Sequence, residues 1–523
     1  MFVFRNNTIE RFFPKDYRFS GYDDISVIPE SEDGYVWFYQ VPIGFESVKL
    51  SQEIEACLRK FQMVLNAINP NKTIIAFTME PLYSVSFTDE GFQSREAVIK
   101  YNEGLVSASK THKNLKIIDF SEFTRQYAAG ELMDWKFYFL SQMGMNPRLS
   151  AAFQQWFAKK LDQIALKRKK CLVLDLDNTL WGGILGEDGP DGIQIGGDYP
   201  GKAFLFFQKG LLELSMNGVI LAVCSKNNEK DVLEAWEKNP FMVLRKEHFA
   251  ACRINWQDKA TNIKELAEEL NIGLDSFVFV DDNPTERELV RQMLPMVAVP
   301  EFPKQPYDIP LFFKSLVEDY FKVYTVTAED RAKTEQYRAN AQRNQASKAF
   351  TNYDDFLESL DIQIAIEKAN EFNLPRIAQM TQKTNQFNLT THRYTDADLK
   401  TKIAEGWKIW CMSVSDRFGD NGITGCLILD GNEIDTLLLS CRILGKGIEF
   451  AFVKRVFGLL KDGGFDSVEA SYIPTAKNAQ VKDFYDKCGF RCISEDENGV
   501  KQYFAALKDL DLSIKDYYKI VIK

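Results

Sequence analysis

Histidine is almost missing from this chain. Only His112, His248 and His392 occur in 523 residues. A histidine-based nucleophile dyad therefore has few places to form. The nine cysteines (57, 171, 224, 252, 411, 426, 441, 488 and 492) are odd in number, scattered, and contain no C-x-x-C pair. That pattern excludes a cysteine/histidine zinc centre and a disulfide scaffold, and it predicts a reduced, cytoplasmic protein. No run approaches 18 consecutive apolar residues, so no transmembrane helix or membrane insertion is expected. The opening MFVFRNNTIERFF lacks the apolar core and small-residue cleavage site of a signal peptide. Basic excess is also lacking. With 64 Lys+Arg against 74 Asp+Glu the net charge is −10, which argues against a nucleic-acid partner. There is no internal repeat and no low-complexity tract.

What is present is ample core material, with 45% hydrophobic and 13% aromatic residues spread over a chain too long for one core. Residues 1–165 alternate apolar runs (YVWFYQV, TIIAFTM, LKIIDF) with helical stretches near 50–68, 92–109 and 148–165, which predicts an N-terminal parallel α/β domain. Residues 166–325 repeat that alternation: KKCLVLDLD, then GVILAVCS, then SFVFVDD, with helical patterns between and after them. Residues 326–350 contain TAEDRAKTEQYRANAQRNQASK, charged and free of Gly and Pro, which predicts a linking helix. From 351 to 523, strands such as IQIAIE, WKIWCMSV, TGCLILD and EIDTLLLS precede the helix IEFAFVKRVFGLLK, an α+β pattern.

The chemistry concentrates in the second segment. Its first strand ends in Asp175 and Asp177 (DLDNT), its next in Ser225 (VCSKN), and its last in Asp281 and Asp282 (FVFVDDNPTER). Lys259 opens a helix in WQDKATN. Like charges at a buried strand end repel and are costly to desolvate, so they persist where a cation or a reaction needs them. Strands ending in polar residues place such groups together at the carboxyl edge of a parallel sheet. Asp175 would serve as nucleophile and metal ligand, Asp177 as acid–base, Ser225 as phosphoryl hydrogen-bond donor and Lys259 as charge neutraliser. Asp281, Asp282 and the main-chain carbonyl of Asp177 would complete a site for Mg²⁺, which prefers hard oxygen ligands. Taken singly, a D-x-D is more often a surface loop and Lys259 a solvated helix start, while Ser225 reads equally well as a strand-end turn residue and as a phosphate ligand. Asn178 and Thr179 read equally well as caps of the following turn.

This ordered set over about 168–320 resembles the haloacid dehalogenase (HAD) superfamily of phosphotransferases. With 50 residues between positions 175 and 225 and 34 between 225 and 259, it resembles the superfamily's capless members, whose open sites suit carrier-bound substrates. LDLDNTLWGGILGEDG, CSKN, FVDDNPTER, TNQFNLTTHRYT and SCRILGKGIEF together resemble the FkbH-like branch. That resemblance implies dephosphorylation of an acyl phosphate, 1,3-bisphosphoglycerate, and loading of its glyceryl group onto an acyl carrier protein, in polyketide-like or surface-glycan biosynthesis. The C-terminal segment resembles a GNAT acyltransferase. There RILGKG, with Arg442, Gly445 and Gly447, stands where a pyrophosphate-cradling loop would, and Asn478 lies in the TAKNAQVKDFYDKCGF ending. A phosphopantetheine arm or acyl-CoA is the implied ligand. Cys441, beside that loop, has access to an acyl group and could hold a thioester, although a small buried hydrophobe is the commoner role of such a cysteine. Cys224 is expected to face the core because its neighbour Ser225 faces the phosphate. His392 in TTHRY reads as structural or acid–base. The N-terminal domain resembles SGNH or flavodoxin-like folds but lacks a GDS nucleophile and a late D-x-x-H. The alternatives are a HAD phosphatase for a small phosphorylated metabolite and a non-catalytic carrier-binding assembly protein.

Overall fold

In a computed structural model the chain is described over residues 1–83, 85, 93–326, 339, 350, 352–440 and 443–523. The linking helix expected over 326–350 lies almost wholly outside these residues, and Cys441 and Arg442 lie outside them too. The chain divides into two compact units, Met1–Ile164 and Ala165–Lys523.

The first unit is built on five parallel strands: β1 (Phe2–Arg5), β2 (Arg18–Tyr22), β3 (Gly34–Phe38), β4 (Thr73–Phe77) and β5 (Leu115–Ile118), in the order β2-β1-β3-β4-β5. This is a doubly wound order, with a core on each face of the sheet. Every residue of β3 is buried, as a strand covered on both faces requires. The expected strands over 35–41, 73–79 and 115–120 are present, whereas β1 and β2 lie within a stretch that carries no long apolar run.

The second unit opens with β6 (Cys171–Leu174), β7 (Ile220–Ser225), β8 (Ala251–Ile254) and β9 (Phe277–Val280), all parallel, in the order β8-β7-β6-β9. Alternation along these strands sends Leu172, Leu174, Leu221 and Val223 into one core and Cys171, Val173, Ala222 and Cys224 into the other. The strand carrying DLDNT, β6, sits between β7 and β9, so three carboxyl ends converge.

The remainder of this unit is a second sheet: β10 (Gln363–Lys368), β11 (Phe387–Asn388), β12 (Lys408–Asp416), β13 (Gly419–Asp430), β14 (Glu433–Leu439), β15 (Ser467–Tyr472), β16 (Arg491–Glu495), β17 (Lys501–Ala506) and β18 (Lys519–Ile522). Its order is β16-β17-β15-β14-β13-β12-β10-β18, with β11 on β14. Most pairs are antiparallel, but β14 runs parallel to β15, and the helix Ile448–Asp462 makes the crossover between them. Among the described residues no helix is long and apolar enough to cross a membrane.

Candidate active site

Four local devices aim the polar groups of the first sheet in this unit at one point. Asp175 leaves β6 with its main-chain N–H donating to the carbonyl of Val280, 3.0 Å away, which ties the ends of β6 and β9 together. Lys259 begins the helix Lys259–Leu270, whose N-cap Asp258 accepts from the Thr261 amide at 2.8 Å. Asn283 caps the helix Pro284–Met293, with proline at its first position. The Asn283 amide in turn donates to Asp281 Oδ1 at 2.8 Å. Each carboxylate or ammonium is thus held at a strand end or a helix start.

Lys259 Nζ lies 2.5 Å from Asp281 Oδ2 and 3.1 Å from Asp175 Oδ1, and all three side chains are buried. Asp282 joins them: oxygens of Asp175, Asp281 and Asp282 lie within 4.8 Å of one another. One ammonium faces three carboxylates, so the cluster carries an excess of buried negative charge. Burial, then the charge of Asp175, pushes Asp281 up to about 7 and Asp282 up to about 6, against the pull of Lys259. Burial by itself would lower Lys259, but Asp175 and Asp281 outweigh it and hold the ammonium above its ordinary value. Asp175 Oδ1 is buried without a hydrogen-bond donor beyond that ion-pair contact. Hard oxygens, excess negative charge and an unsatisfied carboxylate oxygen together suit a small divalent cation.

Asp177 is placed differently. Its carboxylate stands apart from the three-carboxylate group and accepts from three neutral donors: Trp181 Nε1 and the Leu185 amide, each 3.0 Å from Oδ1, and Asn227 Nδ2, 2.9 Å from Oδ2. Only its main-chain carbonyl is left for the metal role expected of it. Ser225, 1% exposed, is reached by the same Asn227 amide at 3.3 Å. Of the two residues read equally as caps, Asn178 takes a φ of +51° and accepts from the Gly183 amide, shaping the turn. Thr179 instead crosses to the other strand end, accepting from the Asp282 amide at 3.2 Å. Cys224 faces the core, where burial raises its thiol well above the ordinary value, so it is no poised nucleophile.

Asn227 and Trp181 are the residues that sequence reasoning missed, although both stand inside the quoted motifs. Their signal was only proximity, since a neutral amide and an indole look unremarkable without their acceptor. Asn227 bridges the expected acid–base and the expected phosphoryl donor, which gives it a positioning role. Replacing Asn227 with alanine is expected to lower turnover of an alkyl phosphate about 100-fold, the order seen when one preorganised donor is removed. An aryl phosphate, whose leaving group needs no proton, is expected to lose much less. Equal losses on both substrates, or a fall in melting temperature that accounts for them, would contradict the role.

In the second sheet of this unit, Gly445 and Gly447 adopt φ of +78° and +71°, and Gly447 caps the helix Ile448–Asp462. Tyr353 Oη donates to the Gly445 carbonyl at 2.9 Å and Tyr518 Oη to the Lys446 carbonyl at 2.5 Å. A cleft of about 320 Å³ opens beside this loop, with Lys454 and Lys515 on its walls. Asn478 is placed elsewhere: fully buried, it donates to the Asn388 and Ile473 carbonyls, both at 2.9 Å, and accepts from the Thr475 amide. Its amide pins two chain segments, so its observed contacts are structural. His392 Nδ1 lies 3.0 Å from Asp435, and that contact raises its pKa.

No curated protein sequence matches the chain. Among solved structures, the ribosomal-protein-S18-alanine N-acetyltransferase from Escherichia coli aligns over 28% of this chain and 94% of its own, at 12% identity and a TM-score of 0.22, below the level at which a shared fold follows. The N-terminal part of a Bacteroides fragilis protein, containing a phosphatase domain complexed with Mg, is similar at 28% identity and a TM-score of 0.52. That match covers 62% of this chain and 94% of the other. The family of NLI interacting factor-like phosphatases matches residues 170–330. The segment that carries Asp175, Lys259 and Asp281 therefore matches a HAD-type phosphatase family and is similar to a solved phosphatase domain.

Proposed function

We propose that this protein is a Mg²⁺-dependent phosphatase that acts on a phosphorylated acyl donor, 1,3-bisphosphoglycerate, and transfers the glyceryl group to an acyl carrier protein. The observation that carries the phosphatase half is the buried cluster of Lys259 with Asp175, Asp281 and Asp282 at the carboxyl edge of a parallel sheet. Asp175, Asp281, Asp282 and the Asp177 carbonyl would hold the cation, which supplies charge neutralisation on the phosphoryl oxygens. Asp175 attacks phosphorus, and the bond from phosphorus to the substrate oxygen breaks. Asp177, held by its three donors, gives that oxygen a proton and later takes one from the water that hydrolyses the aspartyl phosphate. Ser225 and Lys259 hold the phosphoryl oxygens as charge builds on them.

The substrate carries two phosphates of different chemistry, and the reading uses each once. The phosphate ester is the group for Asp175, since cleavage there leaves a hydroxyl. The acyl phosphate is activated at carbon: a thiol attacks, the acyl carbon–oxygen bond breaks, and inorganic phosphate leaves. In support, the loop with Gly445 and Gly447 starts a helix between two parallel strands and borders a cleft with lysines on its walls, which suits the phosphate of a phosphopantetheine arm or of acyl-CoA. Cys441 and Arg442 are proposed with it from the sequence resemblance, as thiol and anion contact.

The test is incubation of the full chain with Mg²⁺, 1,3-bisphosphoglycerate generated in situ and a holo-carrier protein, read by intact-mass spectrometry. A glyceryl adduct on the carrier, absent with Asp175→Asn, is the expected result. Phosphate release with no adduct on any of several carriers would reduce the function to that of a phosphatase for a small phosphorylated metabolite.

A further inference from the structure

The N-terminal unit has a cleft of its own, at the place where its strand order reverses. From β1 the chain runs outward to β2, then returns to form β3 on the other side of β1 before continuing to β4 and β5. The reversal lies between β1 and β3, and in open α/β sheets the crevice at the carboxyl ends of such a pair is where ligands bind. Asn6 and Asn7 follow β1, Gln40 follows β3, and all three line a cleft of about 200 Å³.

The amides in this cleft are fixed by the strand ends. The Gln40 main-chain N–H donates to Asn6 Oδ1 at 3.0 Å, and Asn6 Nδ2 donates to the Gln40 carbonyl at 2.8 Å. Asn7 Nδ2 divides its protons between Asn6 Oδ1 at 3.2 Å and Gln40 Oε1 at 2.9 Å. The buried Gln40 side chain lies against Gly144, where a β-carbon would collide with Oε1. These contacts occupy Asn6 and orient Asn7. Among the described residues no donor reaches Asn7 Oδ1 and no partner reaches the side-chain amide of Gln142, which also lines the cleft. Gln142 holds a φ of +52°, in the left-handed region that a glutamine seldom takes, and the Thr8 amide donates to its carbonyl at 3.1 Å.

Aromatic faces complete the lining. Tyr83 and Tyr138 stand on the wall, and Trp135 packs edge-to-face on both, with ring centroids 4.7 and 5.7 Å away. Trp135 and Tyr138 belong to the helix Trp135–Ser141, none of whose residues is buried. Rings that brace one another outside any core keep faces open to a ligand.

This chemistry selects the occupant. A planar amide offers a donor and an acceptor side by side, which matches neighbouring hydroxyls, and an aromatic face suits a ring of C–H groups. A sugar has both. The volume is short of the roughly 300 Å³ at which drug-sized pockets begin, so it takes one ring rather than a chain. The described lining holds no charged side chain. Residues 84–92, which follow Tyr83, contain two acids and no Lys or Arg. Carboxylates from that stretch would accept from sugar hydroxyls, and the stretch adds no cation for a phosphorylated ligand. We infer that this cleft binds one uncharged sugar ring, its apolar face on Tyr83 and Tyr138 and its hydroxyls on Asn7 and Gln142. The inference is independent of the phosphatase and transfer readings.

Saturation-transfer NMR of the full chain tests it with the methyl glycosides of glucose, galactose, mannose and N-acetylglucosamine, which carry no phosphate for the other unit to hold. At least one is expected to receive saturation, mostly on the ring protons of one face. Tyr138→Ala and Gln142→Ala, both outside the core, are each expected to weaken that glycoside about tenfold with an unchanged melting temperature. No transfer to any of the four, or transfer indifferent to both substitutions, would overturn the site. Cyclohexanol or adenosine binding as tightly as the best glycoside would overturn the sugar assignment.

Discussion

Asp175→Asn is expected to cut phosphate release from a phosphate ester by roughly a thousandfold or more, while leaving the metal-free protein at least as stable as the parent. Removing a nucleophile forfeits a covalent step that no neighbour can replace, and losses of this order or larger follow. The stability half comes from the charge count. Asp175 is the second cause, after burial, of the raised values of Asp281 and Asp282. Deleting its charge leaves two carboxylates with one ammonium, and Lys259 keeps its 2.5 Å contact with Asp281. Both remaining carboxyls should titrate lower in the variant. A phosphate-release assay beside a chemical-denaturation curve measures both parts. A variant that is inactive because it is unfolded would contradict the account of the cluster, and one that retains more than a tenth of the activity would remove Asp175 from the nucleophile role.

Lys259→Met carries the larger stability effect. Removing one partner of a buried ion pair costs about 3–5 kcal/mol because the other charge is left without compensation. Here three carboxylates lose their shared ammonium at once. The pH dependence has a definite sign. Asp281 and Asp282 are held above the ordinary carboxylate value, at about 7 and about 6, so the folded state binds these protons more tightly than the unfolded chain. Stability is therefore greatest below about pH 4 for these two groups and is lost as pH rises through 6 to 7. Without Lys259 the carboxyls shift higher still, so the loss should deepen near neutrality and be recovered on acidification to pH 5. A divalent cation that binds only the folded state should recover it as well, by mass action. Urea titrations at pH 5 and 7.5, with Mg²⁺ and with EDTA, measure the four corners. A variant equally destabilised at both pH values, and unresponsive to Mg²⁺, would show that the lysine's packing rather than its charge matters.

Much of the fold was legible from short-range pattern. The apolar runs ending in DLDNT, VCSKN and FVFVDDNP become β6, β7 and β9 within two residues, because a strand buried on both faces writes a continuous hydrophobic run. Strands such as β8, half-exposed and carrying Arg253, leave no such run and were missed. β15 to β18 escaped for a related reason. They are only four to six residues long, β15 alternates polar and apolar residues, and β16 is exposed throughout.

The candidate site divides along the same line. The sequence by itself determined which charged residues stand at strand ends and helix starts, because termini are marked by local chemistry: the Asp258 and Asn283 caps, the proline after Asn283, the abrupt end of each apolar run. It could not say which donors hold Asp177, since Trp181 and Asn227 come from different loops and are defined only by where their N–H groups point. Tertiary structure alone decided that Thr179 serves the Asp282 amide and that Asn478 spends its amide on main-chain carbonyls. Local propensity acts over a few residues and leaves its trace in order along the chain. The contacts that join the strand ends, such as Asn227 to Asp177 and Lys259 to Asp281, are settled between residues tens of positions apart, where only the packed fold fixes the distance.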